Sequence, residues 1–368
     1  LNFKGRIERI LDSISEKELD GAIIIGGSNI FYLSGTDAAS ALIIGPREKI
    51  LLCPRLEALR AQDEEKIGAR VISYTEADVE FLEDEDIIKG SFLEALIKTL
   101  EIAGLKTKKI GITKEKVSTK ALQKLEKTYG TAKPIDEVLK QMRRVKDSDE
   151  IEAITKASRL AEKALRKALY SMEKGVTEGE LAGIILHEIH RAGAEPSFSP
   201  IVAFAEHSAH PHAKPGLKKL EKGDLVKIDL GARIEGYCSD MTRTLVFGEA
   251  SEKQRQLLEA VLSSQQAALE ALCVGVKGKA VDEKAREILR NKGLAKYFNH
   301  GLGHGVGVDI HEPPTLSPSS KDSLLEGEVF TVEPGIYIKG FGGIRIEDTV
   351  VLTSEGYKTL TRFERELW

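Results

Sequence analysis

The sequence predicts an α/β chain of two domains, the second built by internal duplication. Three observations carry this. Short apolar runs alternate with helix-like segments over residues 1–135, a charged break follows near 140–147, and a nine-residue pattern then occurs twice. The length of 368 residues also suits about two domains, each large enough to bury its own core.

In the first part the candidate strands are GAIII (21–25), ALIIG (41–45), KILLC (49–53), ARVISY (69–74) and KKIGIT (108–113). Candidate helices lie near 3–18, 55–66, 91–103 and 117–128. Strands alternating with helices indicate an α/β layer. The boundary falls near 140–147, where QMRRVKDSDE precedes a long helix opened by the capping box of Asp147 and Glu150. The domains are therefore placed at 1–140 and 141–368. A second capping box, Thr177 with Glu180, opens a helix that Gly193 closes. That helix carries His187 and His190, three apart rather than the four a zincin motif needs, so they read as ordinary helix residues.

Composition narrows the function classes. Hydrophobic residues are 41% and charged residues 30%, as in a folded globular chain. No apolar run approaches the roughly 20 residues of a membrane helix, and the first ten residues lack a signal peptide's apolar core. The net charge of −4 speaks against nucleic-acid binding. Three scattered cysteines (Cys53, Cys238, Cys273) give neither a disulfide framework nor a thiolate zinc site, and suit the cytoplasm. Asn (4) and Gln (7) are scarce beside abundant Lys and Glu, a thermophile-like balance.

The chemistry lies in the second part, which holds all eight histidines. Residues 223–231 read GDLVKIDLG and residues 327–335 read GEVFTVEPG. Each is a strand-like run with one carboxylate just before its end, Asp229 and Glu333. Downstream, SDMT (239–242) and IEDT (346–349) continue the echo with Asp240 and Glu347. A pseudo-symmetric duplication brings both pairs to one centre. The bland alternative is exposed strand-end carboxylates or pairing to Lys and Arg. Buried together they repel one another, and divalent cations relieve that repulsion. Between the echoes, HGLGHGVGVDIHEPP (300–314) places three His among four glycines. One His with four carboxylates makes an oxygen-rich set suited to Mn²⁺ or a similar ion. Two such ions can activate a water at neutral pH.

These motifs resemble the "pita-bread" metallopeptidases, among them methionine aminopeptidase, aminopeptidase P and prolidase. SNIFYLSG (28–35) is similar to the start of the creatinase-type N-terminal domain, and PSFSPIVAFAEHSAHPHAKP (196–215) to the family's substrate-side loop. IDLGARIEGYCSDMTRT, HGLGHGVGVDIHEPP, FTVEPGIYI and GGIRIEDTV resemble its metal-site motifs in order. The resemblance implies a creatinase-like domain followed by a pseudo-symmetric α+β pita-bread catalytic domain. It implies Asp229, Asp240, His304, Glu333 and Glu347 as ligands of two divalent ions (Mn²⁺ or Co²⁺, with Zn²⁺ as a third candidate), Asp240 and Glu347 bridging them. Glu333 would also carry a proton to the leaving nitrogen, and His212, His300 and His311 would line the substrate carbonyl. Arg345 would orient the region and serve Glu347 or the main-chain substrate, while His207 and His210 read as plain loop residues. No further cofactor is implied.

Methionine aminopeptidases usually lack the first domain, and creatinase lacks the metal set. The resemblance therefore points to an Xaa-Pro peptidase, a homodimer acting on di- or short peptides. A non-catalytic peptide-binding module and a methionine-aminopeptidase-like enzyme are the alternatives. Many prolidases carry an Arg where this chain has Thr315. Without that clamp on a dipeptide's carboxylate, tripeptides are expected to be cleaved no more slowly than dipeptides.

Overall fold

The computed structural model describes residues 1–78, 80–83, 85–106, 108–117, 119–130 and 132–367. The chain divides into two compact units, Leu1–Arg143 and Arg144–Trp368. In the first unit one mixed sheet holds β1 (Gly21–Ile25), β2 (Ala41–Ile44), β3 (Lys49–Pro54), β4 (Arg70–Thr75), β5 (Ile87–Lys89), β6 (Ile110–Ile112) and β7 (Lys133–Pro134). Their order is β5-β4-β3-β2-β1-β6-β7. The strands β1, β2 and β3 pair antiparallel, and the outer pairings are parallel. Helices α1 (Phe3–Glu16), α2 (Gly27–Ser34), α3 (Ala58–Glu64), α4 (Phe92–Ile102), α5 (Thr119–Tyr129) and α6 (Asp136–Arg144) accompany it. Ile23, Ile43, Ile50 and Leu52 pack with Leu96 and Leu100 of α4. The alternate residues Ile24, Leu42 and Leu51 are buried as well, so the central strands are covered on both faces. That is why they read as unbroken apolar runs.

The five expected strands are present. The edge strands β5 and β7, too short for a periodicity to show, were not anticipated, nor were α2 and α6. The expected helix at 55–66 is a 3₁₀ turn, Arg55–Glu57, followed by α3. The one expected over 117–128 is α5; Ser118 lies outside the described residues.

The second unit repeats one design. Two helices, α7 (Ser148–Tyr170) and α8 (Glu178–Arg191), precede β8 (Glu195–Pro196), β9 (Ile201–Phe204), β10 (Leu225–Leu230), β11 (Ala232–Ile234), β12 (Tyr237–Cys238) and β13 (Met241–Val246). Two more, α9 (Glu252–Glu270) and α10 (Gly278–Asn291), precede β14 (Gly303–Gly305), β15 (Glu312–Leu316), β16 (Val329–Val332), β17 (Gly335–Ile338), β18 (Gly342–Arg345), β19 (Asp348–Thr353) and β20 (Gly356–Thr359). Capping boxes open α7 at Asp147/Glu150, α8 at Thr177/Glu180 and α9 at Ser251/Gln254, each satisfying otherwise unpaired N–H groups of the first turn. Gly193, past the end of α8, has φ +73.

The echoed motifs become equivalent antiparallel pairs. In the first half β10 pairs β13, with Asp229 opposite Thr242; in the second β16 pairs β19, with Val332 opposite Asp348. Strand alternation then sorts the side chains. Val226, Ile228 and Leu230 enter the core with α7 and α8, leaving Lys227 and Asp229 on the other face of β10. Phe330 and Val332 enter the core with α9 and α10, leaving Thr331 on the opposite face of β16. The halves meet where the Glu347 amide donates to the Thr242 carbonyl (3.1 Å) and the Thr349 hydroxyl to the Asp240 carbonyl (2.8 Å).

Candidate metal centre

Where the two halves meet, a cavity of about 510 Å³ opens, a size suited to a small ligand. Its wall includes Asp229, Asp240, His304, Glu333 and Glu347, together with His212, His300, His311 and Arg345. All nine candidate site residues thus lie on one surface. Pro200, Ile201, Pro211, Pro215 and Ile310 give the remainder an apolar character.

The histidine loop is drawn in tightly. The Leu302 amide donates to Asp282 of α10 (3.1 Å), and Arg286 donates to the carbonyls of Phe298 (2.9 Å) and His300 (2.5 Å). A Cβ at Gly303 would stand 2.0 Å from the Thr331 carbonyl oxygen, and one at Gly305 2.2 Å from that of Pro313. Only glycine permits those approaches, so these glycines set the position of His304. The His304 Nδ1 lies 3.1 Å from the Gly305 carbonyl. A carbonyl only accepts, so Nδ1 carries a hydrogen; in the bare protein Nε2 donates to Glu333, and with an ion bound its lone pair would face the metal. Nε2 lies 3.2 Å from Glu333 Oε1 and 3.6 Å from Asp240 Oδ2. One ligand atom each from Asp240, His304 and Glu347 fall within 4.8 Å of one another.

The electrostatics of this cluster are unfavourable in the bare protein. Burial, then the charge of Glu347, holds Asp240 well above the usual carboxylate range. Burial, then Glu333 and Asp229, does the same to Glu347. Burial also raises Asp229, with Arg345 opposing. For Glu333 the cost of burial is outweighed by the hydrogen bond and charge of His304, which bring it down to about 2. Among the described residues Asp229 Oδ1 is buried with no hydrogen-bond partner. That orphan oxygen and the mutual repulsion of the carboxyls fit a pair of hard divalent cations, whose charge would invert the local balance.

A second tier of contacts aims these groups. Thr242 Oγ1 donates to Glu347 Oε2 (2.6 Å), and Thr331 Oγ1 to Glu333 Oε1 (3.1 Å). Arg345 pairs with Asp229 through Nη2, and its Nε is 4.0 Å from Glu333. Arg345 reaches Glu347 through Thr242, whose hydroxyl accepts from Arg345 Nε (3.0 Å) and donates to Glu347. Arg345 Nη1 also donates to Tyr337 Oη (2.7 Å), which lies 3.0 Å from His300 Nε2. His300 Nδ1 is 2.7 Å from the Gly301 carbonyl, so Nδ1 donates and Nε2 accepts from Tyr337. Burial lowers the pKa of His300, in keeping with a neutral ring. Behind the site, the fully buried Arg243 pairs with Asp348 (2.7 Å). It also donates to the carbonyls of Glu347 (2.5 Å), Phe363 (2.7 Å) and Glu364 (2.7 Å).

Tyr337, Thr242, Thr331 and Lys227 were not singled out from sequence. Only the polar residues at alternate strand positions could have signalled them. His207 is more than a loop residue: its Nδ1 lies 2.7 Å from Glu178, which also accepts from the amides of Phe204 and Gly216. Thr315 provides no clamp. It is exposed and does not belong to the cavity wall; its amide and hydroxyl donate to Asp322 (2.9 and 3.1 Å).

A duplicated α/β unit with buried carboxylates and a histidine facing a peptide-sized cavity is the build of a metal-dependent hydrolase. Residues 152–354 match the metallopeptidase family M24, and residues 6–145 match the creatinase/prolidase N-terminal domain. The chain belongs to the M24 metallopeptidases. It is 40% identical to an Xaa-Pro dipeptidase of Pyrococcus furiosus over 99% of this chain and 100% of that protein. Its structure superimposes on a prolidase from Pyrococcus horikoshii with a TM-score of 0.85, at 35% identity, covering 99% of this chain and 100% of that one. An X-Pro aminopeptidase from Thermotoga maritima gives a TM-score of 0.84 at 34% identity, covering 96% and 99%. Among the described residues no helix is long and apolar enough to cross a membrane.

Proposed function

We propose that this metallopeptidase hydrolyses the Xaa–Pro bond of dipeptides and other short proline-containing peptides. The observation that carries the reading is the buried set of four carboxylates and His304 on the wall of a dipeptide-sized cavity. It is supported by full-length similarity to a protein named Xaa-Pro dipeptidase.

In this reading Asp229, Asp240, His304, Glu333 and Glu347 would hold two divalent ions, Mn²⁺ or Co²⁺ before Zn²⁺. When bound, the ions polarise the scissile carbonyl and lower the pKa of water. Glu333 takes the proton of the attacking water and delivers it to the proline nitrogen as the C–N bond breaks. His300 has both nitrogens engaged, with Gly301 and Tyr337, so it shapes the wall. Donation to the developing oxyanion falls to the exposed rings of His212 and His311. Arg345 keeps Asp229 ionised and Tyr337 in place. The apolar wall residues receive the proline ring.

Exhaustive chelation is expected to abolish Xaa-Pro hydrolysis and to lower the melting temperature, since ligands that bind only the folded state stabilise it. Mn²⁺ or Co²⁺ restores both. Full turnover with no metal by elemental analysis would refute the reading. The same proposal makes residues 1–140 a dimerisation domain that shapes the catalytic domain of residues 141–368, in a cytoplasmic homodimer. A sedimentation mass of about twice 40.4 kDa is expected; a monomer at every concentration tested would exclude it.

A further inference from the structure

Lys227 is fully buried on the same face of β10 as Asp229, two residues before it. A buried amino group needs partners for its N–H donors, because leaving them unsatisfied in the interior is costly. Its partners are main-chain atoms of one segment: Nζ donates to the carbonyls of Ser208 (2.9 Å), His210 (2.7 Å) and Pro211 (3.4 Å). It also lies 5.0 Å from the centre of the Tyr337 ring.

These carbonyls belong to the loop that ends in His212. The loop turns through a 3₁₀ segment, Ala205–Ala209, and its Ser208 hydroxyl accepts from the Gly343 amide (2.8 Å). Arg345 Nη1 reaches the Pro211 carbonyl at 3.3 Å. The loop thus hangs from the floor of the site by main-chain acceptors, and Lys227 serves three of them. Beyond Pro211 the chain enters the cavity wall at His212. Among the described residues the His212 ring has no hydrogen bond of its own, so the backbone before it determines where the ring sits.

We infer that Lys227 is a positioning residue for catalysis, a buried amino group that fixes the 208–211 backbone so that His212 faces the substrate carbonyl. It holds no metal and touches no substrate. This rests on the Xaa-Pro peptidase reading and on the role given there to His212. An apolar side chain of similar length would leave three carbonyls without donors, and the loop would relax toward solvent. A shift of about 1 Å in a positioned catalytic group can cost on the order of a hundredfold in rate.

The test is a double-mutant cycle on Mn²⁺-loaded protein, using Lys227→Met and His212→Ala and assayed on an Xaa-Pro dipeptide. Wild-type protein that cleaves no Xaa-Pro peptide refutes the peptidase reading itself. With active wild type, Lys227→Met is expected to lower kcat by about ten- to a hundredfold while metal content by elemental analysis stays at the wild-type value. Lys227→Gln, which retains two N–H donors, is expected to recover part of the loss. In the His212→Ala background the Lys227→Met loss should disappear, because residues acting through one another are not additive. Equal losses in both backgrounds, an unaltered kcat in either single variant, or loss of metal with Lys227→Met would each overturn the inference. Failure of both Lys227 variants to fold would overturn it as well, since Lys227 would then be a general stability residue.

Discussion

Glu347→Gln is expected to lower kcat/KM for an Xaa-Pro dipeptide by on the order of a thousandfold or more. A metal's contribution to transition-state stabilisation is several kcal/mol, and each 1.36 kcal/mol is about tenfold. The thermodynamic signature should carry the opposite sign in the two metal states. In the bare protein Glu347 is held well above the usual carboxylate range by burial and by the charges of Glu333 and Asp229. A carboxyl so raised destabilises the folded state at neutral pH, because the unfolded chain ionises more readily. Gln does not ionise and can still accept the hydrogen bond from Thr242. The metal-free variant should therefore melt no lower than metal-free wild type, while most of the rise in melting temperature on adding Mn²⁺ disappears. Calorimetry with and without metal checks both halves. A variant that melts lower without metal yet keeps its full metal-induced rise would show that Glu347 is a structural carboxylate.

Glu333→Gln is expected to separate binding from chemistry. The proposal gives Glu333 a proton-transfer role, and such roles contribute about 10²–10⁴-fold. Here kcat should fall by that factor while KM for the dipeptide changes little. His304 approaches to 3.2 Å and Thr331 to 3.1 Å of the same oxygen, Oε1, so a Gln oxygen placed there keeps both contacts. A non-catalytic peptide-binding module on this fold would show the same peptide affinity before and after the change and no turnover in either form. Undiminished kcat in Glu333→Gln would move the proton carrier elsewhere, to His212 or His311.

The central strands and the carboxylate pairs were legible in the sequence for the same reason. β1 and β2 are unbroken apolar runs because both their faces are covered. Asp229 and Glu333 stand out because each interrupts such a run at the same step of a repeated register. The second tier was not legible. Tyr337 is an isolated aromatic in a short hairpin strand, and its place between Arg345 and His300 depends on how β17 folds back over β18. The missing Arg at Thr315 was legible but its surroundings were not: the strand pairs it with His304, yet the register shift between His304 and Gly305 and the partners at Asp322 set its side chain away from the wall. Lys227 read as an ordinary strand position, since nothing local reveals that three carbonyls some twenty residues earlier converge on it.

The knot around Arg243 has a consequence for biosynthesis. Asp229 and Asp240 leave the ribosome early, but the guanidinium between their strand and Glu347 is completed only by the carbonyls of Phe363 and Glu364. At about 5–20 residues per second, the 135 positions from 229 to 364 take roughly 7–27 s to translate. Until residue 347 has been added the nascent chain holds the first acidic pair without the whole of the second, while residues 1–143 have their whole sheet available to fold. The Arg243 knot behind the centre can therefore close only after residue 364 has been added, and until then a translating ribosome carries an inert precursor.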